Sequence, residues 1–84
     1  MGTKELINLM KYHISEKITD LSASDPHRTP DQKLAIFWCG RQTATWAMDL
    51  IWAAKNDGVI NFDEMTEYER AISDLNVQLN TMRP

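Results

Sequence analysis

The sequence predicts an all-α protein of three helices, at about residues 4–22, 30–56 and 62–81, in a single domain that spans residues 1–84. Apolar residues recur at steps of three and four along the first and third segments, which is the spacing of one helix face, and the second segment is apolar over nearly its whole circumference. The chain has only three glycines and three prolines, and most of them fall between the segments or at their ends. Its 84 residues are enough for one domain at most.

The first segment begins at Thr3, whose hydroxyl is expected to cap the helix by accepting a hydrogen bond from a first-turn amide. It ends near Ser22, before a loop in which Pro26 disfavours the helical conformation at Asp25. The apolar residues of this segment lie on one face: Ile7, Met10, Ile14, Ile18 and Leu21. A single narrow face of this kind predicts a helix that packs with one side only.

The second segment has strong signals at both ends. Thr29 is followed by Pro30 and, three residues after the cap, by Gln32, which is the pattern of a capping box with proline at the first helical position. Gly58 can adopt the left-handed conformation that ends a helix, so the helix is expected to stop just before it. Gly40 lies inside this helix and predicts either the close approach of another helix or a kink.

The third segment repeats the capping pattern at its start, with Asn61 as the cap and Glu64 three residues later. Its apolar residues are separated by alternating steps of three and four: Met65, Tyr68, Ile72, Leu75, Leu79 and Met82. That spacing is typical of a helix that packs against one partner helix. Because the connection after the second helix is short, the second and third helices are expected to be antiparallel neighbours.

The second helix is too apolar to be covered by its own chain. On a helical wheel its apolar residues occupy nearly the whole circumference, whereas each of the other two helices offers one narrow apolar face. About one of its three sectors should therefore remain as an interface. The predicted interface residues are Leu34, Trp38, Trp46, Met48, Ile51 and Trp52. The alternative is a compact three-helix bundle in which all three tryptophans are core residues.

A chain this short buries a small share of its surface, so it is expected to need a disulfide, a metal or an oligomeric partner. Cys39 is the single cysteine, so an intrachain disulfide is not possible. One cysteine and two histidines are poor material for a metal site, and no metal or cofactor is expected. Self-association, most simply as a symmetric dimer, is therefore the predicted way of completing the bundle.

Residues 56–64 resemble the second half of an EF-hand calcium loop. Gly58 and Glu64 would hold the positions of the glycine and of the closing glutamate in such a loop. The resemblance stops there, because the first and third ligand positions would be Ala53 and Lys55, where calcium requires oxygen ligands. The segment is therefore interpreted as a capped turn between two helices.

The residues that could carry catalysis are few. Cys39 could be paired with His13 as a thiol and a base, but in an apolar helix a cysteine usually acts as a small hydrophobic residue. Asp49 is the most interesting acid, with Arg41, Arg70, a partner or solvent as its candidate neighbours. The sequence contains neither a phosphate-binding loop nor a nucleophile elbow, and it argues against an enzyme.

The predicted function is that of a non-enzymatic, oligomeric helical module that binds proteins, as a regulator, inhibitor or assembly factor of the bacterial or phage type. Its predicted partners are a second copy of the chain and another protein. The alternative is a helix-turn-helix regulator that binds DNA, although a net charge of −3 and scattered basic residues do not favour nucleic acid. The sequence shows no membrane-spanning run and no secretory signal, so a cytoplasmic location is expected.

Overall fold

The computed structural model of the chain describes residues 2–23 and 25–84. These residues form three helices, α1 (Thr3–Ser22), α2 (Pro30–Asn56) and α3 (Phe62–Thr81), and no strand. The predicted all-α class is thus confirmed, and the helix bounds agree with the prediction to within one residue. Ser24, in the predicted loop between α1 and α2, lies outside the described residues. Over the described ranges, none of the helices combines the length and apolar character needed to cross a membrane.

The three helices lie side by side, with α2 antiparallel to the other two, in a body of 46 × 23 × 15 Å. Lys4 in the first turn of α1 meets Glu64 in the first turn of α3, with 2.7 Å between Nζ and Oε2. Arg41, in the first half of α2, instead donates to Asn80 in the last turn of α3. The prediction that α2 and α3 are antiparallel neighbours is therefore confirmed.

Reciprocal capping boxes begin both α2 and α3, as predicted. The Gln32 amide donates to the Thr29 hydroxyl at 3.1 Å, and the Thr29 amide donates to Gln32 Oε1 at 2.9 Å. Asn61 and Glu64 form the same pair of bonds at 2.8 and 3.1 Å. The predicted cap at Thr3 is wrong, because Thr3 is already helical and the cap position falls on the preceding glycine, which has no side chain to accept a bond.

Two glycines have distinct structural roles. Gly58 has a φ of 75° and ends the turn after α2 in the left-handed region, as predicted. At Gly40 an added Cβ would lie 2.8 Å from Leu79 Cδ2 and 3.3 Å from Lys17 Cβ. Because α2 continues as regular helix through this position, the glycine marks the close approach of α1 and α3 to α2.

The core lies between one side of α2 and the apolar faces of α1 and α3. The buried residues of α2, which we call its inner face, are mostly small: Phe37, Gly40, Ala44, Ala47, Ile51 and Ala54. The other two helices contribute larger side chains: Ile7, Ile14, Met65, Ile72 and Leu79. None of the polar or charged residues in the described ranges is buried, so hydrophobic burial and close packing stabilise the fold.

Candidate protein interface

The exposed residues of α2 between positions 34 and 53 form a second side of this helix, which we call the outer face. Its members are Leu34, Ala35, Trp38, Cys39, Gln42, Thr45, Trp46, Asp49, Trp52 and Ala53. Their spacing keeps them on one side of the helix, away from the inner face. All but three of these ten residues are hydrophobic, and a single one carries a charge. The outer face is therefore apolar over a length of about 29 Å.

Three tryptophans dominate the outer face. Trp38, Trp46 and Trp52 are 48%, 56% and 50% exposed, and the neighbouring Leu34 is 40% exposed. The alternative in which all three tryptophans are core residues is therefore not what the structure shows. Because the inner face already fills the space between α1 and α3, the indoles lie at the surface of the chain.

The indole of Trp38 is held by two neighbours. Its ring is 5.2 Å from that of Phe37, with the two planes nearly perpendicular at 80°. The guanidinium carbon of Arg83 lies 5.7 Å from the Trp38 ring and 5.8 Å from the Phe37 ring. Edge-to-face and cation–π contacts of this kind favour one orientation of the indole, so Trp38 presents a defined surface to solvent.

A shallow groove separates two of the indoles. It is lined by Ala35, Trp38, Cys39, Gln42, Thr43 and Trp46. Cys39 is exposed here, so its small side chain contributes to the groove rather than to the core. An apolar groove between two aromatic rings can accept a hydrophobic side chain from another molecule.

Two charged side chains border or interrupt the outer face. Arg41 Nη1 donates to Asn76 Oδ1 at 3.0 Å and to Asn80 Oδ1 at 3.1 Å, and both acceptors are neutral. Within residues 2–23 and 25–84, neither Arg41 nor Asp49 lies within ion-pair distance of an opposite charge. Neither Arg41 nor Arg70, the neighbours predicted for Asp49 within the chain, forms an ion pair with it.

Two of the six residues predicted for the interface lie elsewhere. Ile51 is fully buried and belongs to the core, so we leave it out of the interface. Met48 is half-buried, packs against the core and lines a groove between α2 and α3 beside Arg41 and Ile72. A helical wheel on which most positions are apolar does not show which sector the other helices cover. This explains why the predicted set included Ile51 and Met48. The outer face retains the other four predicted residues: Leu34, Trp38, Trp46 and Trp52.

The remaining outer-face residues were not predicted as interface residues. They are Ala35, Cys39, Gln42, Thr45, Asp49 and Ala53. Small and polar side chains give no hydrophobic signal of their own. The available sequence signal was that each lies three or four residues from another member of the outer face.

The segment that resembles half of an EF-hand loop forms a capped turn. Glu64 Oε1 accepts from the Asn61 amide, and Oε2 pairs with Lys4. The hydrogen bond from Lys4, followed by that from the Asn61 backbone, lowers the pKa of the Glu64 carboxyl. The same contact with Glu64 raises the pKa of Lys4. Across the described residues no cluster of three or more His, Cys, Asp or Glu is placed to bind a metal ion.

The structure gives His13 and Cys39 different surroundings. His13 Nδ1 lies 3.3 Å from Glu16 Oε2 on the exposed side of α1. Cys39 lines the groove of the outer face of α2. No hydrogen bond joins His13 to Cys39 among the bonds of the described residues, so a thiol–imidazole pair is not formed.

Comparison with protein-family models, with curated proteins and with solved structures finds no match for this chain. The geometry of the outer face is therefore the basis for inferring the function. That geometry consists of three half-exposed indoles, an apolar groove between two of them, and two charged side chains without ion-pair partners in the described part of the chain.

Proposed function

We propose that this chain is a non-enzymatic helical module that binds proteins through the outer face of α2. The observation that carries the proposal is the half-exposure of three tryptophans along one side of a helix whose other side belongs to the core. Three half-exposed indoles amount to on the order of 350 Å² of aromatic surface. A patch of that size is typical of a binding site, and tryptophan is enriched at binding hot spots.

The shape of the outer face suits a protein partner better than a small molecule. The face is long and its groove is shallow, so it matches an extended surface such as the side of another helix. Charged residues are depleted in the centre of protein interfaces, and Asp49 is the single charge on this face. The contacts that orient Trp38 reduce the entropy lost when a partner binds.

In this proposal the chain acts by occupying or joining protein surfaces, as a regulator, an inhibitor or an assembly factor of the bacterial or phage type. The first turns of α3 carry Asp63 and Glu67, and these acids would steer a basic partner surface towards the module. The exposed thiol of Cys39 supports a reducing location such as the cytoplasm.

The DNA-binding alternative has less support. Arg28 belongs to the one basic spot of the sequence, near His27 and Lys33. Its guanidinium lies 3.4 Å from Asp25 and 4.0 Å from Asp20, so its charge is balanced within the chain. Phosphate recognition needs basic side chains that are available to the ligand. A gel-shift assay at low salt that shows tight binding would favour this alternative over ours.

Photo-crosslinking in cells that naturally make the chain tests the proposal directly. Photoreactive p-benzoylphenylalanine replaces Trp46 in one variant and Val77 in a matched control. Val77 is 61% exposed and apolar, but it belongs to α3. We expect protein adducts from position 46 and far fewer from position 77. Equal yields from the two positions, or no adduct from position 46, would contradict the proposal.

A further inference from the structure

We propose that the outer face binds the outer face of a second copy of this chain, with the two α2 helices antiparallel. This inference rests on the proposed function and specifies its partner. The exposed positions of α2 repeat at intervals of seven. Three such series are present: 35, 42 and 49; 38, 45 and 52; and 39, 46 and 53. A seven-residue repeat is the pattern with which two helices pack along their lengths.

One antiparallel register brings the indoles of one outer face against the indoles of the other. The register is centred between Thr45 and Trp46. Two residues at the same height on the two helices then have numbers that add to the same total as 45 and 46. A two-fold axis between antiparallel helices places the same flank of each helix side by side, so Trp38 lies beside Trp52 of the second copy and Trp46 lies beside Trp46. The two-fold symmetry repeats the contact between Trp38 and Trp52, and aromatic pairs of this kind add stabilisation beyond their buried area.

The same register brings opposite charges together. Asp49 of one copy faces Gln42 of the other, and Arg41 is the adjacent residue on that helix. The asparagine contacts of Arg41 use Nη1, so Nε and Nη2 remain as donors for the carboxylate of Asp49. A parallel pairing would instead place Asp49 against Asp49. The charges therefore favour the antiparallel direction.

The exposed area matches a small, reversible homodimer. The indoles and the other residues of the outer face together offer about 550 Å² per copy. Two copies would then bury roughly 1,100 Å², which is near the lower limit of specific protein interfaces. A second copy would also add hydrophobic burial to a chain whose own core is small.

Charge exchange tests the pairing. Sedimentation equilibrium compares the native chain with Arg41→Glu, Asp49→Arg and the double variant. Each single change turns two attractive contacts into repulsive ones, so we expect the dimer to weaken about tenfold or more. The double variant restores the attraction with its direction reversed, and its dimer should return to within about threefold of native. A double variant as weak as the weaker single variant would overturn the pairing.

Circular dichroism of the same four proteins provides the folding control. Asp49 is exposed and Arg41 is partly exposed, so helix content should stay the same in all four. Loss of the asparagine contacts in Arg41→Glu cannot be repaired by Asp49→Arg within one chain. Recovery of the dimer in the double variant therefore reports the contact between copies.

Thiol crosslinking tests the direction. In the antiparallel register the two Cys39 side chains lie about 20 Å apart along the helices, so a short bismaleimide should not join native chains. The variant Cys39→Ser/Thr45→Cys places both thiols beside the symmetry axis and should give a covalent dimer. Efficient crosslinking of the native chain at Cys39 would indicate a parallel pair and overturn the proposal.

The failure of this inference is distinguishable from the failure of the proposed function. A native chain that stays monomeric throughout the micromolar range would overturn self-pairing. If position 46 then gives photo-adducts with a different protein, the outer face is still a protein-binding surface. If position 46 gives no adducts, both proposals are wrong.

Discussion

Burial alone would favour large apolar side chains on the inner face of α2 and small ones on the outer face. The two faces mostly show the reverse. The inner face is built around Gly40 and three alanines, whereas the outer face carries three tryptophans. Burial stabilises a protein by about 25 cal/mol per Å² of apolar surface, so an indole has more to gain from burial than an alanine. The small inner residues instead allow α1 and α3 to approach closely, and those helices supply the larger core side chains. The core is therefore complete without the indoles.

Adjacent residues on the two faces should show the largest contrast. Ile51→Ala should lower the free energy of unfolding by about 3 kcal/mol, because it leaves a cavity at a fully buried site. Trp52→Ala should cost about half of that or less, because half of the indole is already exposed. Urea unfolding of both variants at low protein concentration measures the difference. A greater loss at Trp52 would mean that the outer face contributes to the core of a single chain.

The pair also shows what the sequence could and could not predict. Capping is local chemistry, so Thr29 with Gln32 and Asn61 with Glu64 indicated the ends of α2 and α3 correctly. Ile51 and Trp52 are neighbours in an apolar run, and only tertiary contacts decide which of them is buried. The predicted set therefore included the large exposed hydrophobic residues of α2, Leu34, Trp38, Trp46 and Trp52, but it also included a core residue.

A matched pair of valine substitutions should give the next largest contrast. Gly40→Val on the inner face should cost about 2 kcal/mol, because its side chain meets the buried Leu79 and the stem of Lys17. Ala35→Val on the outer face should cost only about 0.5 kcal/mol, from helix propensity. Thermal unfolding of the two variants gives the comparison. Equal costs would show that α2 can move away from α1 and α3 without penalty.

Removal of Arg83 should have a smaller effect that is confined to the outer face. Arg83→Ala should cost about 0.5 kcal/mol, which is typical of an exposed cation–π contact. In a background of Trp46→Phe and Trp52→Phe, acrylamide should then quench Trp38 more strongly. Arg70→Ala, an exposed change on α3, is the control and should leave the quenching unchanged. Unchanged quenching in Arg83→Ala would mean that Arg83 does not orient the indole.

The Lys4–Glu64 pair should have the smallest effect, and that effect should depend on pH. The lowered pKa of Glu64 means that its contribution is present above the ordinary carboxyl range and is lost as pH falls through the folded-state pKa. The raised pKa of Lys4 means that its contribution is present below the ordinary lysine range and is lost as pH rises through the folded-state pKa. Glu64→Gln keeps a capping acceptor, so stability measured against pH should lose only the part due to the ion pair.

Glu67→Gln is the matched control, because it removes a carboxylate from the same helix and leaves the Lys4–Glu64 pair in place. The pair joins α1 to α3 and involves no residue of α2. The difference in unfolding free energy between Ile51→Ala and Trp52→Ala should therefore stay constant from neutral to mildly acid pH. A difference that narrows as Glu64 becomes protonated would show that this surface contact helps to hold α1 and α3 against the inner face.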